Sequence, residues 1–473
     1  MYAQSYEEYR KAYNERRQQY AQTVTNNYNS FRDSINLQFA DFMREKWVEK
    51  SSNSPIPMPA EPKPLLPVIL QPEEEEPVVA VEDVVSVPDE PIVNRPFDGL
   101  KTPIDVAPVV DIQMPTQPQY DFYFDYYGTD IFLPIGDKHR FDLRKADENS
   151  VAEAWERLAG YEYTPLLDTS LALRSELQMS DWGYVRFAQK ASEAFLGKSN
   201  EAVVLQMFLL TNSGYMVRMA RVDERLILLL PSMAEIWQYR YLTIGDYKYY
   251  MIDDNPGSKC YLLEYAFPNE KPVSLEIAKE QLFEYQATDT RYLQGAGMLI
   301  GLNANKNLID FYADYPLNNT LALYAESPLY SMAKYQLYPS LRVAIEELSQ
   351  LDAANLLLNF VQTSFEYKTD GEQFGNEKPM FTDEILFYPY CDCEDKSFLF
   401  ARLVHDLLGL DVVLLDYPGH IATAVCFTDE EVAGTYFQID GLRYTVCDPT
   451  YINAPVGRAM PGLSSAEIIR ITL

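Results

Sequence analysis

Apolar positions recur at helical spacing near the start of the chain. Tyr6, Tyr9, Tyr13, Tyr20, Val24, Tyr28, Phe31, Ile35, Phe39 and Phe42 draw one stripe, as expected of a single amphipathic helix over residues 5–50. Ser5 followed by Glu8 supplies a capping box at its start. The stripe is broad and rich in tyrosine rather than a Leu/Ile heptad seam, so two readings stand. One is a coiled coil or partner-binding helix; the other is a helix packed on its own globular body.

The same reading of the last third predicts a helix, then strands. Phe398 to Gly409 is apolar on one face and closes on a glycine in the C′ position. Leu410 to Leu415 is a short buried strand, Tyr417-Pro418-Gly419 a turn, and Ile421 to Phe427 an alternating strand opened by His420. Leu442 to Cys447 is a further strand, ending at Asp448-Pro449-Thr450-Tyr451. Residues 261–325 alternate short apolar stretches with turn signals and read as a β-rich connector.

Composition changes the picture in two places. Residues 51–100 hold eleven prolines, ten acidic residues and only two basic ones, Lys63 and Arg95. Proline fixes φ and like charges extend the chain, so residues 51–118 are expected to be a semi-rigid, solvated spacer. Over the whole 473 residues, Lys+Arg is 39 against Asp+Glu 70, a net charge of -31. That balance excludes a nucleic-acid binder, which needs a basic footprint to displace phosphate counterions. Apolar runs such as Leu226 to Pro231 are too short to span a bilayer, so no transmembrane segment is expected. Met1-Tyr2-Ala3-Gln4 reads as the tail of a cleavage region, which points to export, periplasmic or envelope-associated, with the cytoplasm as the alternative.

Five cysteines, Cys260, Cys391, Cys393, Cys426 and Cys447, make no disulfide framework. Histidines number only three, His139, His405 and His420, so any imidazole chemistry must choose among them. Cys393 falls at the start of the predicted helix, where free N–H groups favour thiolate over thiol. If the two following strands pair antiparallel, His420 and Asp448 lie side by side at one edge. Cys393 would attack, His420 would take its proton and Asp448 would orient the imidazole. His405 lies twelve residues along the same helix, ~18 Å at ~1.5 Å per residue, too far to be that base. Zinc held by Cys391, Cys393 and His420 is the metal alternative.

Three ordered pieces carry a family resemblance. They are Asp392-Cys393-Glu394-Asp395-Lys396-Ser397 opening a helix, Pro418-Gly419-His420 before a strand, and Cys447-Asp448-Pro449-Thr450-Tyr451. Together they resemble the transglutaminase-like branch of the papain-like cysteine-peptidase superfamily, over roughly residues 340–460. The resemblance implies an α+β, papain-like fold and acyl transfer at an amide, either hydrolysis or transamidation, with catalytic residues Cys393, His420 and Asp448. No cofactor or metal is implied. The expected partners are a protein or peptide substrate and a protein partner for the N-terminal helix. Many relatives have Gly two places before the nucleophile, where this chain has Cys391, a rival thiol; many have Trp after the histidine, where Ile421 stands. A non-catalytic scaffold built from such domains is the alternative function.

Sliding the chain on itself by 195 residues lays Tyr241, Ile244, Tyr249 and Asp253 on identical residues at Tyr436, Ile439, Tyr444 and Asp448, and Gly214 on Gly409. Cys393 then falls on Lys198 and His420 on Arg225. The expected organisation is a helix over 1–50, the linker over 51–118, a degenerate transglutaminase-like domain over 119–260, the connector over 261–325, and the Cys-His-Asp domain over 326–473.

Overall fold

The computed structural model describes residues 32, 34–59, 67–70, 120–252, 257–267, 269–429, 432–463 and 465–473. Helices and mostly antiparallel sheets alternate along it, an α+β architecture. Two sheets dominate. In chain order the first is built from β1 (Val48–Ser51), β2 (Arg218–Val222), β3 (Arg225–Ser232), β4 (Tyr241–Ile244), β5 (Tyr247–Met251) and β6 (Lys259–Leu262). Its spatial order is β1-β6-β2-β3-β5-β4. The second uses β7 (Asp411–Tyr417), β8 (His420–Cys426), β9 (Tyr436–Ile439), β10 (Leu442–Cys447) and β11 (Glu467–Arg470), in the order β9-β10-β8-β7-β11.

Four strands of each sheet, β2, β3, β5 and β4 in the first and β7, β8, β10 and β9 in the second, share their pairing residue for residue at a shift of 195. Arg218 faces Leu229 and Val413 faces Ala424; Leu229 faces Met251 and Ala424 faces Val446; Tyr241 faces Tyr250 and Tyr436 faces Thr445. Register decides which side chains share a face, because a slip of one residue flips them all. The consequence is visible behind each sheet. Ala220, Leu229, Leu242 and Tyr249 form a small apolar cluster behind the first; Leu415, Ala424, Phe437 and Tyr444, each 195 residues on, sit behind the second. Asp253 lies outside the described residues.

A helix covers the front of each sheet. α1 (Asp181–Leu196) packs on α2 (Asn200–Asn212), and α3 (Gln350–Ser364) on α4 (Cys393–Leu408). The Ser199 side chain caps α2 by accepting from the Ala202 N–H, and the helix beyond is buried on all sides by its apolar run. α4 ends at Gly409, whose φ of 69° is the left-handed cap that glycine adopts without a Cβ clash. These four helices contribute to one continuous apolar core that runs between the two sheets.

Three expectations need correction. The N-terminal helix does not reach residue 50: residues 34–43 are helical, and Val48–Ser51 is strand β1, paired with β6. Its residues 5–31 lie outside the described part. The described turns pack on the chain's own body, with Phe39 against Trp155 and Phe267, and Asn36 accepting from Trp155 Nε1. The proline-rich segment is docked where it is described, not a free spacer. The Asn53 N–H donates to Tyr241 O and the Gln238 N–H to Ile56 O on the first unit; the Ile452 N–H donates to Val68 O on the second. Proline withholds its own N–H, but the carbonyls of Ile56 and Val68 between the prolines still accept from the body, and Asn53 ahead of them still donates. Finally, the connector is only partly β: it holds the hairpin Arg291–Gly295/Met298–Leu302, then the helices Lys306–Ala313 and Leu321–Ala325. Asn305 caps the first of these, and Leu308, Ile309, Phe311 and Tyr312 bury its inner face.

Among the described residues no helix is long and apolar enough to cross a membrane.

Candidate active site

Cys393 is the first residue of α4, and the buried Asp395 carboxyl group fixes that helix start: Oδ2 accepts from the Asp392 N–H and Oδ1 from the Met380 N–H. Ser397, one turn on, donates to Ile421 O of β8. This bond ties the helix start to the strand start. The Ile421 backbone, next to His420, also bears on the Cys393 sulfur and favours its thiolate, against the stronger influences that disfavour it.

His420 opens β8, and Asp448 follows the last residue of β10. Antiparallel pairing of β8 with β10, with Thr423 opposite Cys447, brings the two together. His420 Nε2 lies 2.9 Å from Asp448 Oδ2, both side chains wholly buried. Asp448 Oδ1 accepts from the Thr450 and Tyr451 N–H groups, which fixes the carboxylate plane. Burial opposes the imidazolium, but the Asp448 charge and hydrogen bond, with Glu394 beyond, raise the His420 pKa on balance. Nδ1, the other ring nitrogen, is buried and has no hydrogen-bond partner. The Tyr417 ring stacks on the imidazole at 6.4 Å.

The cysteine does not behave as a helix N-terminus alone predicts. Cys393 is 8% exposed, and burial, followed by the charges of Glu394 and Asp392, pushes its thiol well above the ordinary range. Glu394 Oε2 accepts from the thiol at 3.3 Å. Burial first, and then the carboxyl groups on either side of the sulfur, outweigh the partial charge of the helix start.

Sequence pattern did not expose the residues that hold this site in place. Gln362 on α3 donates to the Asp448, Tyr451 and Ala454 carbonyls and accepts from the Asn453 N–H, so one amide fastens the whole loop that carries Asp448. Lys396, 1% exposed, gives its ammonium to the Gln362 and Phe365 carbonyls. Asp370, which opens a one-turn helix, points into the same region. Its carboxyl oxygen and those of Asp392 and Glu394 lie within 4.8 Å of one another, all three residues buried, a set that could hold a cation. Burial, then Asp395 and Glu394, push the Asp370 pKa up to about 10. A carboxyl-rich run flanking the cysteine was the available signal, but Asp370 lies over twenty residues upstream.

Cys391, the rival thiol, faces the core from a two-residue strand paired with Glu366–Tyr367, and burial pushes it up to about 12. His405 is in the last turn of α4, beside a surface cleft with Lys334 and Tyr338, at the opposite end of the helix from Cys393. Cys426 and Cys447 are buried in β8 and β10, and all five thiols are free. Comparison with protein-family models, with curated proteins and with solved structures finds no match to this chain.

Proposed function

We propose that this chain is a cysteine hydrolase or acyltransferase of the transglutaminase-like type, acting on a peptide or protein amide. The observation that carries the reading is the state of His420: Nε2 is locked on Asp448, while Nδ1 is buried and bare, at the strand start to which Ser397 ties the helix that opens with Cys393. A buried ring nitrogen without a partner costs about 1–3 kcal/mol of desolvation, a cost that a proton-accepting role accounts for.

In this reading the S–H turns from Glu394 to Nδ1 of His420. The proton passes to the imidazole as sulfur attacks the amide carbonyl carbon, and the new oxyanion meets N–H groups at the start of α4. Collapse breaks the C–N bond, and the imidazolium returns its proton to the leaving amine. A thioester remains on Cys393, which water or a second amine resolves with His420 as base. Asp448 stabilises the imidazolium without taking its proton. In the same proposal, residues 119–260 are a copy that has kept the sheet and lost the nucleophile and the base.

Iodoacetamide labelling, with the modified thiol located by mass spectrometry, tests the site. Cys393 should be labelled ahead of the other four thiols, and His420→Ala should slow it. Labelling that settles on Cys391, or a rate indifferent to His420, would sink the assignment. The raised thiol pKa and 8% exposure of Cys393 favour the second reading, an interaction protein whose site is a remnant; that reading predicts a Cys393 no faster than Cys426.

A further inference from the structure

The place in the first unit that corresponds to the Cys393–His420 site is an open cavity of about 420 Å³ between α1, the start of α2 and the start of β3. Lys198 and Arg225, the residues 195 positions before Cys393 and His420, both line it. Both are exposed, and neither makes an ion pair among the described residues. In a chain of net charge -31, two unpaired cations on one cleft are conspicuous. Asn200 holds the rim rigid, accepting from the Leu226 N–H and donating to Glu224 O. Deeper in, Gln206 lines the same cavity at 6% exposure and makes no hydrogen bond among the described residues. Its side-chain amide is not sealed off from the open cavity and is free to hydrogen-bond a ligand there.

We propose that this cleft binds the C-terminal carboxylate of a peptide. The two cations match a carboxylate in charge and hydrogen-bond donors. The Gln206 amide, which both donates and accepts, matches the preceding peptide group. Glu193 and Glu224, also on the lining, disfavour a more highly charged anion such as phosphate. Capture of a chain-terminal carboxylate is a recurring mode of peptide recognition. The proposal concerns a cleft in the first unit, away from Cys393, and stands whether or not that thiol is catalytic.

Titration calorimetry on the full chain at low ionic strength tests it with two probes, acetyl-Ala-Ala and acetyl-Ala-Ala-amide. The free acid should bind one per chain and the amide should not. Lys198→Ala and Arg225→Ala should each weaken the acid about tenfold, and Gln206→Leu several-fold. Chain carboxamidomethylated at Cys393 should bind as the untreated protein does. Circular dichroism melts of the unliganded variants should match wild type, since the two cations are exposed. No saturable binding of the acid, equal binding of the amide, or unchanged affinity in both cation variants would overturn the proposal. So would binding that is lost on modifying Cys393 and kept in Lys198→Ala, because the peptide would then sit at Cys393.

Discussion

The two sheet-and-helix units differ least where they are packed and most where they could act. Strand register and the apolar cluster behind each sheet coincide at a shift of 195 residues. At the helix start and strand start the content is exchanged. Cys393 sits inside the first turn of α4, whereas Lys198 precedes the Ser199 cap of α2, so the second helix begins two residues earlier in the common frame. His420 is wholly buried against Asp448, whereas Arg225 is exposed. Packing constrains the residues that face apolar neighbours across a fixed register. A site needs only a few positions at an edge, and those are free to change without disturbing the sheet.

The contrast breaks first at His420. His420→Ala should slow labelling of Cys393 by roughly 10²-fold, the lower end of what a positioned base contributes, while Arg225→Ala leaves that rate unchanged. Equal effects in the two units would remove the functional distinction between them. Next in size is Gln362, whose single amide satisfies three carbonyls and one N–H around Asp448. Gln362→Leu should cost about 2–4 kcal/mol in urea unfolding, from several buried backbone groups left unpaired, and should lower the His420-dependent part of the labelling rate as well.

The carboxyl cluster, which has no counterpart described in the first unit, gives a pH signature. Asp370 titrates near 10 in the folded chain against ~3.9 when unfolded. The folded state therefore keeps a proton that the unfolded chain releases. Stability from this group is fully present below about pH 4 and drains away as pH rises toward 10. Asp370→Asn should flatten the fall in unfolding free energy between pH 6 and 9 by up to about 1.4 kcal/mol per pH unit; an unchanged slope would mean the cluster titrates elsewhere. The smallest effect expected is at Glu394. Glu394→Gln replaces the carboxyl group that accepts from the thiol with an uncharged amide, so labelling of Cys393 at pH 8 should rise several-fold, while the same change at Glu201 should do nothing.

Much of the second unit was legible because its residues act locally. Gly409 ends α4, a short apolar run makes β8, which is buried on both faces rather than alternating, and the turn between β7 and β8 sets His420 at a strand start. The side-by-side placement of His420 and Asp448 followed once antiparallel pairing was assumed. Gln362 and Asp370 were not legible, since their roles come from chain segments dozens of residues away that no period relates. The thiol's high pKa was missed for a related reason: the helix start was visible in the sequence, but the burial that magnifies Asp392 and Glu394 is a property of packing. The N-terminal helix was overextended because Val48–Ser51 is strand through its partner β6, more than two hundred residues later.

Equal register also raises a question of partner choice during folding. Strands of one sheet present edges that suit the other, the setting in which repeated units misassemble. Chain order separates them in time. Every strand of the first sheet lies before residue 263, and the second sheet begins at Asp411. At the usual pace of synthesis roughly ten to thirty seconds pass between the two, whereas a hairpin closes in microseconds. A nascent chain therefore meets its first set of partners before the competing set exists. Refolding from denaturant forfeits that head start.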